Sequence, residues 1–349
     1  MKKITALPDI SIREAMKKLS ASGVKCLVII NKDKELLGTL SDGDVRKAIL
    51  NGISVSDLVK NIYQKNPRVL IEGNYNFKEV KKIFAENKFD IIPVVNQDGY
   101  LKDIILWESI FDNSKHKKNK SIDTPVVIMA GGKGTRLEPF TKVLPKPLVP
   151  IHDKPIIEHI IERFLEVGIK NFYMTLNYKS KIMKAYFQEL NPRFSIDFLE
   201  ENQPLGTAGS LRLLDKKINS PFFVTNCDII IKADYNSFYE FHLKGGYDIT
   251  LVASAKEYII PYGTCEINDK GFLSKIDEKP QYDFLINTGL YILNPDILKL
   301  IPKNKFYHIT NLIDDSISNG KRIGVFPIDE DAWVDIGQWA EYQRAIEVL

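Results

Sequence analysis

Apolar positions in the first hundred residues follow two rhythms, and each rhythm occurs twice. From Ile12, IREAMKKLSASG sets apolar side chains at helical spacing. CLVIIN and LLGTLS then predict two strands around a short Asp-containing turn, followed by a helix beginning near Asp44. The same order returns as FKEVKKIFAENK from Phe77, IIPVVN, YLKDIIL and a helix beginning near Glu108. VKCLVIINKDKELLGTLSDGDV from Val24 aligns with FDIIPVVNQDGYLKDIILWESI from Phe89 at an offset of 65 residues, without a gap. Asn31 falls on Asn96, Asp33 on Asp98 and Leu36 on Leu101. The chain thus begins with two copies of one helix–strand–strand–helix unit, over about 5–60 and 65–112.

The pattern breaks at DNSKHKKNKSIDT, Asp112–Thr124, a polar, lysine-rich stretch that reads as a solvated linker. With the linker at 116–123, a small domain (1–115) precedes a larger one (124–349). In the larger part NFYMTLNY, FSIDFLEE, PFFVTNCD and DITLVASA alternate with polar amphipathic stretches. That alternation predicts an α/β fold with a Rossmann-like, mostly parallel sheet and ligands at the carboxyl ends of its strands.

Composition narrows the function classes. With 44% hydrophobic and 27% charged residues the chain has ordinary globular make-up and is wrong for disorder. The 48 basic residues nearly cancel the 45 acidic ones, leaving a formal charge of +3 and no one-sided field for nucleic-acid phosphates. No apolar run reaches the roughly eighteen residues of a membrane helix, and MKKITALPDI lacks an apolar signal core, so a cytoplasmic protein is expected. Cys26, Cys227 and Cys265 are scattered without a CxxC pair, which excludes a disulfide scaffold or a cysteine-rich zinc site.

The chemistry begins after the linker. Strand-like VVIM runs into GGKGTRLEPFTKVLPKPLVPI, where Gly131, Gly132 and Gly134 let backbone N–H groups approach a phosphate chain, with Thr135 beside them. The spacing is neither GxGxxG nor GxxxxGK[ST]. Arg136 follows at once, and Lys146 lies ten residues on in LPKPL. Further along come NQPLGTAGSL with Gln203, Gly206 and Thr207; VTNCDII with Asp228; PYG ending at Gly263; EKP with Glu278 and Lys279; NTGLYIL with Asn287; and WVDIG with Asp335. This ordered set, GGxGTRLxPxTxxxPKPLxP foremost, resembles the sugar-1-phosphate nucleotidyltransferases from about Thr124 to the C-terminus.

The resemblance implies a reaction and a role for each residue. A sugar-1-phosphate oxygen attacks the α-phosphorus of a nucleoside triphosphate and expels pyrophosphate, so catalysis is alignment and charge neutralisation. It implies Asp228 and Asp335 as ligands of Mg²⁺, which favours one or two carboxylates with phosphate oxygens and waters. Arg136 suits the β- and γ-phosphates, and Lys146 the α-phosphate. Lys279 would grip the sugar phosphate and Glu278 the sugar hydroxyls, with Gly263 and Asn287 completing the sugar pocket. Gln203, Gly206 and Thr207 lie in the loop that reads the base. Two positions depart from the family pattern: Gln338-Trp339 replaces Thr-Pro after DIG, and Cys227 fills a position of small or apolar residues, where it reads as packing.

PLGTAG resembles the mannose-1-phosphate guanylyltransferase branch, which makes GTP the expected donor. The N-terminal repeats resemble a tandem pair of CBS modules, an α+β pair that binds adenine nucleotides in the cleft between modules. Ser41 and Asp44 sit where such a module places a hydroxyl and a ribose-binding carboxylate, and they also suit a plain helix N-cap. The second repeat has Leu106 and Ser109 there, so at most one adenine nucleotide is expected. CBS pair followed by nucleotidyltransferase is similar to the domain order of the glucosamine-1-phosphate guanylyltransferases of bacterial legionaminic acid synthesis, which feed surface or flagellin glycosylation. GTP and glucosamine 1-phosphate are the expected substrates, in a homo-oligomer (dimer or tetramer). The alternatives are mannose 1-phosphate or another sugar phosphate, a non-catalytic nucleotide-sensing homologue, or a scaffold in which the CBS pair is the working part.

Overall fold

The computed structural model describes residues 4–87, 89–107 and 122–349. The helix expected near Glu108, Ser109, and most of the linker lie outside the described residues. The chain packs as two units, Met1–Lys117 with Ala255–Leu285, and Lys118–Ser254 with Ile286–Leu349. An excursion from the larger sequence half, 255–285, therefore packs with the N-terminal repeats.

In the first unit the first repeat shows the expected helix–strand–strand–helix order and the second its helix and two strands, each with one addition. A short strand precedes each first helix and pairs parallel to the next strand: Thr5–Ala6 beside Cys26–Ile30, and Leu70–Ile71 beside Ile91–Val95. Two residues are too few for any periodicity to reveal. The helix Ile12–Ser22 starts in a capping box, Ser11 with Glu14, and stops at Gly23 in the left-handed region. Strand alternation divides CLVII between two cores. Leu27 and Ile29 face Ile12, Leu40 and Val59 of their own repeat, while Cys26 and Val28 meet Ile91 and Leu101 of the other. The repeats join by reciprocal hydrogen bonds: Leu36 N–H to Gly99 O at 3.0 Å and Leu101 N–H to Lys34 O at 2.8 Å. Those pairs exchange under the 65-residue offset, so the two repeats are related by a pseudo-twofold axis. The excursion carries an antiparallel hairpin, Thr264–Ile267 with Leu273–Asp277, and its Ala255 is buried in the first repeat's core.

The second unit is built on a mixed seven-stranded sheet in the order Ser195–Glu200, Asn171–Leu176, Val126–Met129, Phe222–Asn226, Gln281–Leu293, Ile249–Ile259, Ile323–Asp329. The first four strands are parallel to one another, and Phe222–Asn226 pairs antiparallel with Gln281–Leu293. VVIM is apolar throughout because both faces are covered. Val126 and Ile128 pack with Ile160, Phe164, Phe172 and Phe238; Val127 and Met129 pack with Leu211, Leu214, Tyr291 and Leu312. The glycine-rich segment leaves this strand at its carboxyl end, as the α/β pattern requires.

Candidate active site

Gly134 shows why the loop after Met129 is glycine-rich. It has φ 68°, and a Cβ there would lie 2.8 Å from Lys146 Cβ. Its carbonyl accepts from Thr141 Oγ1 at 2.9 Å and from Leu137 N–H at 3.0 Å, closing the short turn Thr135–Leu137. Arg136 stands on that turn, exposed, and forms no ion pair among the described residues. Gly132 and Thr135 are likewise exposed. Lys146 is opposite in character: only 7% of it is exposed, in the turn Lys146–Leu148.

The buried lysine pairs with Asp228, to which Nζ is ion-paired across 82 residues of sequence. Asp335 is the neighbour of both. The strands Ile229–Ile231 and Trp333–Asp335 pair antiparallel with Ile229 opposite Asp335, and Ile336 N–H donates to Asp228 O at 2.8 Å. The Asp335 carboxylate accepts from Gly337 N–H at 2.8 Å. Burial first, and then the charge of Asp228, hold its carboxyl above the usual carboxylate range, against the opposing pull of Gly337 and Lys146. Two acids and one cation so close leave net negative charge in a half-buried place. Cys227 beside them is buried, and burial and Asp228 push its thiol up to about 12, so it is inert packing.

The remaining predicted residues of this unit have defined partners. Gln203 donates from Nε2 to Asn304 O at 3.0 Å, Gly206 closes onto Tyr307, and Thr207 Oγ1 accepts from Ile309 N–H at 2.9 Å at the start of the helix Ile309–Ser318. Asn287 is held by the Tyr291 hydroxyl at 2.8 Å and by Gly289 N–H at 3.0 Å. In the first unit, Gly263 and Glu278 adjoin: a Cβ on Gly263 would lie 3.0 Å from Glu278 Oε2. Lys279 is exposed and holds φ 47°, an uncommon conformation before a proline. Ser41 and Asp44 form a capping box on the helix Asp42–Leu50: Asp44 Oδ2 accepts from Ser41 N–H at 2.9 Å and Oγ at 2.6 Å, and Asp44 N–H donates to Ser41 Oγ at 3.1 Å. Leu106 ends its strand in the second repeat, and Ser109 lies outside the described residues.

One residue escaped the sequence reading, and another appeared there only as a departure from the family pattern. Glu201, 8% exposed, accepts from Leu205 N–H at 3.0 Å, and a Cβ on Gly131 would meet its Oε1 at 2.7 Å. It thus borders both the glycine-rich loop and PLGTAG, and burial raises its carboxyl. The available signal was parity, since Glu201, one residue past the strand Ser195–Glu200, follows buried Leu199 by two positions. Trp339, at the departure from Thr-Pro, donates from Nε1 to Glu138 O at 2.8 Å, and its ring centroid lies 5.2 Å from that of Phe140. The C-terminal helix Trp339–Val348 therefore braces the segment that follows Arg136.

The sequence model of the family described as Nucleotidyl transferase matches residues 125–349. The chain belongs to that family. A CBS domain model matches residues 1–51. Over 223 residues the nucleotidyl transferase region is 37% identical to mannose-1-phosphate guanyltransferase 2 of Candida glabrata, covering 61% of each protein. Over 222 residues it is 35% identical to mannose-1-phosphate guanyltransferase of Saccharomyces cerevisiae, again 61% of each. The chain thus spans about three fifths of the length of these curated relatives. The crystal structure of HddC from Yersinia pseudotuberculosis superposes with a TM-score of 0.51 at 31% identity, covering 64% of this chain and 98% of that one. The same protein complexed with GMP-PN matches at 30% identity with a TM-score of 0.50.

Proposed function

We propose that this nucleotidyl transferase joins GTP to a sugar 1-phosphate, giving a GDP-sugar and pyrophosphate. The observation that carries the reading is the buried Lys146 drawn against Asp228 and Asp335, with the glycine-rich turn and exposed Arg136 following the central strand. In the reaction a sugar-phosphate oxygen forms the new bond to the α-phosphorus, and the bond to the β-phosphate oxygen breaks with its electrons going to pyrophosphate. Lys146 serves the charge on the α-phosphate, and Arg136, free to swing, that on the departing pyrophosphate. Lys279, Glu278, Gly263 and Asn287 serve the sugar phosphate.

Mg²⁺ fits the residues present, since two carboxylates adjoin with one lysine as counter-charge, and burial and the charge of Asp228 raise the Asp335 carboxyl. Asp228 and Asp335 would hold the ion, which when bound supplies charge neutralisation to phosphate oxygens.

Guanine is supported by the names of the relatives, by GMP-PN in the HddC complex, and by Glu201. A carboxylate accepts only, and the guanine edge offers adjacent N–H donors that such an acceptor reads. For the sugar, the relatives' names favour mannose 1-phosphate, whereas the CBS modules favour glucosamine 1-phosphate and a place in legionaminic acid or surface-glycan synthesis. Adenine nucleotide at Ser41 and Asp44, and a dimer or tetramer, belong to the same reading. Pyrophosphate release with GTP, ATP, UTP, CTP and dTTP against glucosamine, mannose and glucose 1-phosphates is the test. Fastest turnover with GTP is expected. Preference for another triphosphate overturns the donor, and no turnover with any pair returns the chain to a sensing role.

A further inference from the structure

Arg13, in the first turn of the helix Ile12–Ser22, reaches two carboxylates of the excursion 255–285. Its Nη2 lies 3.2 Å from Asp283 Oδ1 and its Nε 3.7 Å from Glu257 Oε2. Glu257 is on the outgoing strand Ile249–Ile259 and Asp283 on the returning strand Gln281–Leu293, neighbours in one sheet. Asp283 Oδ2 accepts from Ser54 Oγ and, at 3.5 Å, from Ser56 Oγ. The arginine's own place is set by the same loop: Arg13 N–H donates to Val55 O at 2.9 Å, and Ile12 N–H to Asp57 O at 2.8 Å. Ala255, 4% exposed, enters the apolar core of the first repeat beside these contacts.

An isolated surface ion pair contributes little, because water screens it and two side chains lose freedom. This arrangement differs in three respects. One guanidinium bridges both strands, the far oxygen of Asp283 is held by hydroxyls, and the arginine and Asp283 side chains are only 15% and 24% exposed. Glu278 and Lys279 lie five and four residues before Asp283, and Gly263 six after Glu257. At about 3.3 Å per residue, those groups sit roughly 13–20 Å of chain from the contact. The three groups are therefore joined to the contact by short lengths of chain, along which a displacement at the base of the excursion would be carried.

We propose that Arg13 and Asp283 are positioning residues for the sugar-phosphate side of the reaction, so that the first repeat holds the base of the segment carrying Gly263, Glu278 and Lys279. The proposal rests on the reading of those three as sugar-phosphate ligands. The test uses the full chain with Arg13→Gln, Asp283→Asn, the double variant, and Arg13→Lys. Steady-state kinetics should show KM for the sugar phosphate raised roughly three- to tenfold, with KM for the triphosphate unchanged. The effects of the two single variants should be less than additive in the double variant, since they share the Arg13–Asp283 contact, and Arg13→Lys should recover part of the loss. Amide exchange over 255–285 should quicken in the same variants while exchange over 125–230 stays put. Sugar-phosphate KM and excursion exchange both at wild-type values overturn the proposal, as does an equal rise in both KM values. If the wild-type protein turns over no sugar phosphate, the functional reading falls separately, and exchange alone then decides whether the repeat holds the excursion.

Discussion

Replacing Lys146 by methionine keeps the side chain's length and removes its charge. In the folded protein Lys146 is 7% exposed and ion-paired with Asp228, whose neighbour Asp335 already has its carboxyl raised by burial and by Asp228. The variant leaves two adjoining acids with no counter-charge. Breaking a buried pair from one side costs about 3–5 kcal/mol; the 15% exposure of the Asp228 side chain and the chance for Asp335 to take a proton reduce this to about 2–4 kcal/mol. The pH dependence follows from the direction of the Asp335 shift. A folded-state value above the unfolded one means that Asp335 binds a proton more readily in the fold, so its ionisation opposes folding at neutral pH. That penalty fades as pH falls towards the unfolded carboxylate value of about 4. Urea unfolding in EDTA, followed by fluorescence of Trp333 and Trp339, should show the full loss at pH 7.5 and a loss smaller by about 1 kcal/mol or more at pH 5. Turnover should drop at least about 10²-fold, as for loss of one charged contact to the transition state. A variant within about 0.5 kcal/mol of wild type at pH 7.5 would refute the claim that Lys146 is the counter-charge of this acid pair.

Asp228→Asn and Asp335→Asn should each lower kcat by roughly 10²–10³-fold with the fold intact; near-normal kcat at saturating Mg²⁺ would remove these acids from the centre. If Glu201 reads guanine as proposed, Glu201→Gln supplies an N–H in place of the acceptor, so the ratio of kcat/KM for GTP over ATP should fall at least about tenfold; an unchanged ratio makes Glu201 a brace between loops only. His242 is buried, within 2.9 Å of Thr250 Oγ1 and 3.2 Å of Asn294 Oδ1, and burial lowers its pKa below the usual 6.5. The unfolded chain therefore takes a proton first as pH falls below about 6.5, and stability should decline there; His242→Gln should flatten that slope in urea titrations between pH 7.5 and 5.5. Calorimetry of the full chain with AMP, ADP and ATP should find one site per chain, weakened at least about tenfold in Asp44→Ala, which loses hydrogen bonds of about 0.5–1.5 kcal/mol each. No heat in the wild type leaves Ser41 and Asp44 as a capping box alone.

Local pattern by itself determined much of this protein. The 65-residue offset between the repeats is written in their apolar spacing, and the reciprocal bonds of Leu36 and Leu101 are its three-dimensional form. VVIM running into GGKGTR located the strand end and the loop, because a strand covered on both faces must be apolar throughout and a loop passing as close to Lys146 as Gly134 does must lack a Cβ. The tertiary structure decided everything that depends on which distant segment lies opposite. Lys146 meets Asp228 because the parallel crossovers bring their segments together, and periodicity reports a residue's face but never its partner. Glu201 sits where a strand's polar end turns into the core, beside a glycine 70 residues earlier. Ala255–Leu285 falls within the larger stretch of sequence yet packs with the first repeat, since Arg13, Ser54 and Ala255 complete contacts that neither segment can make alone.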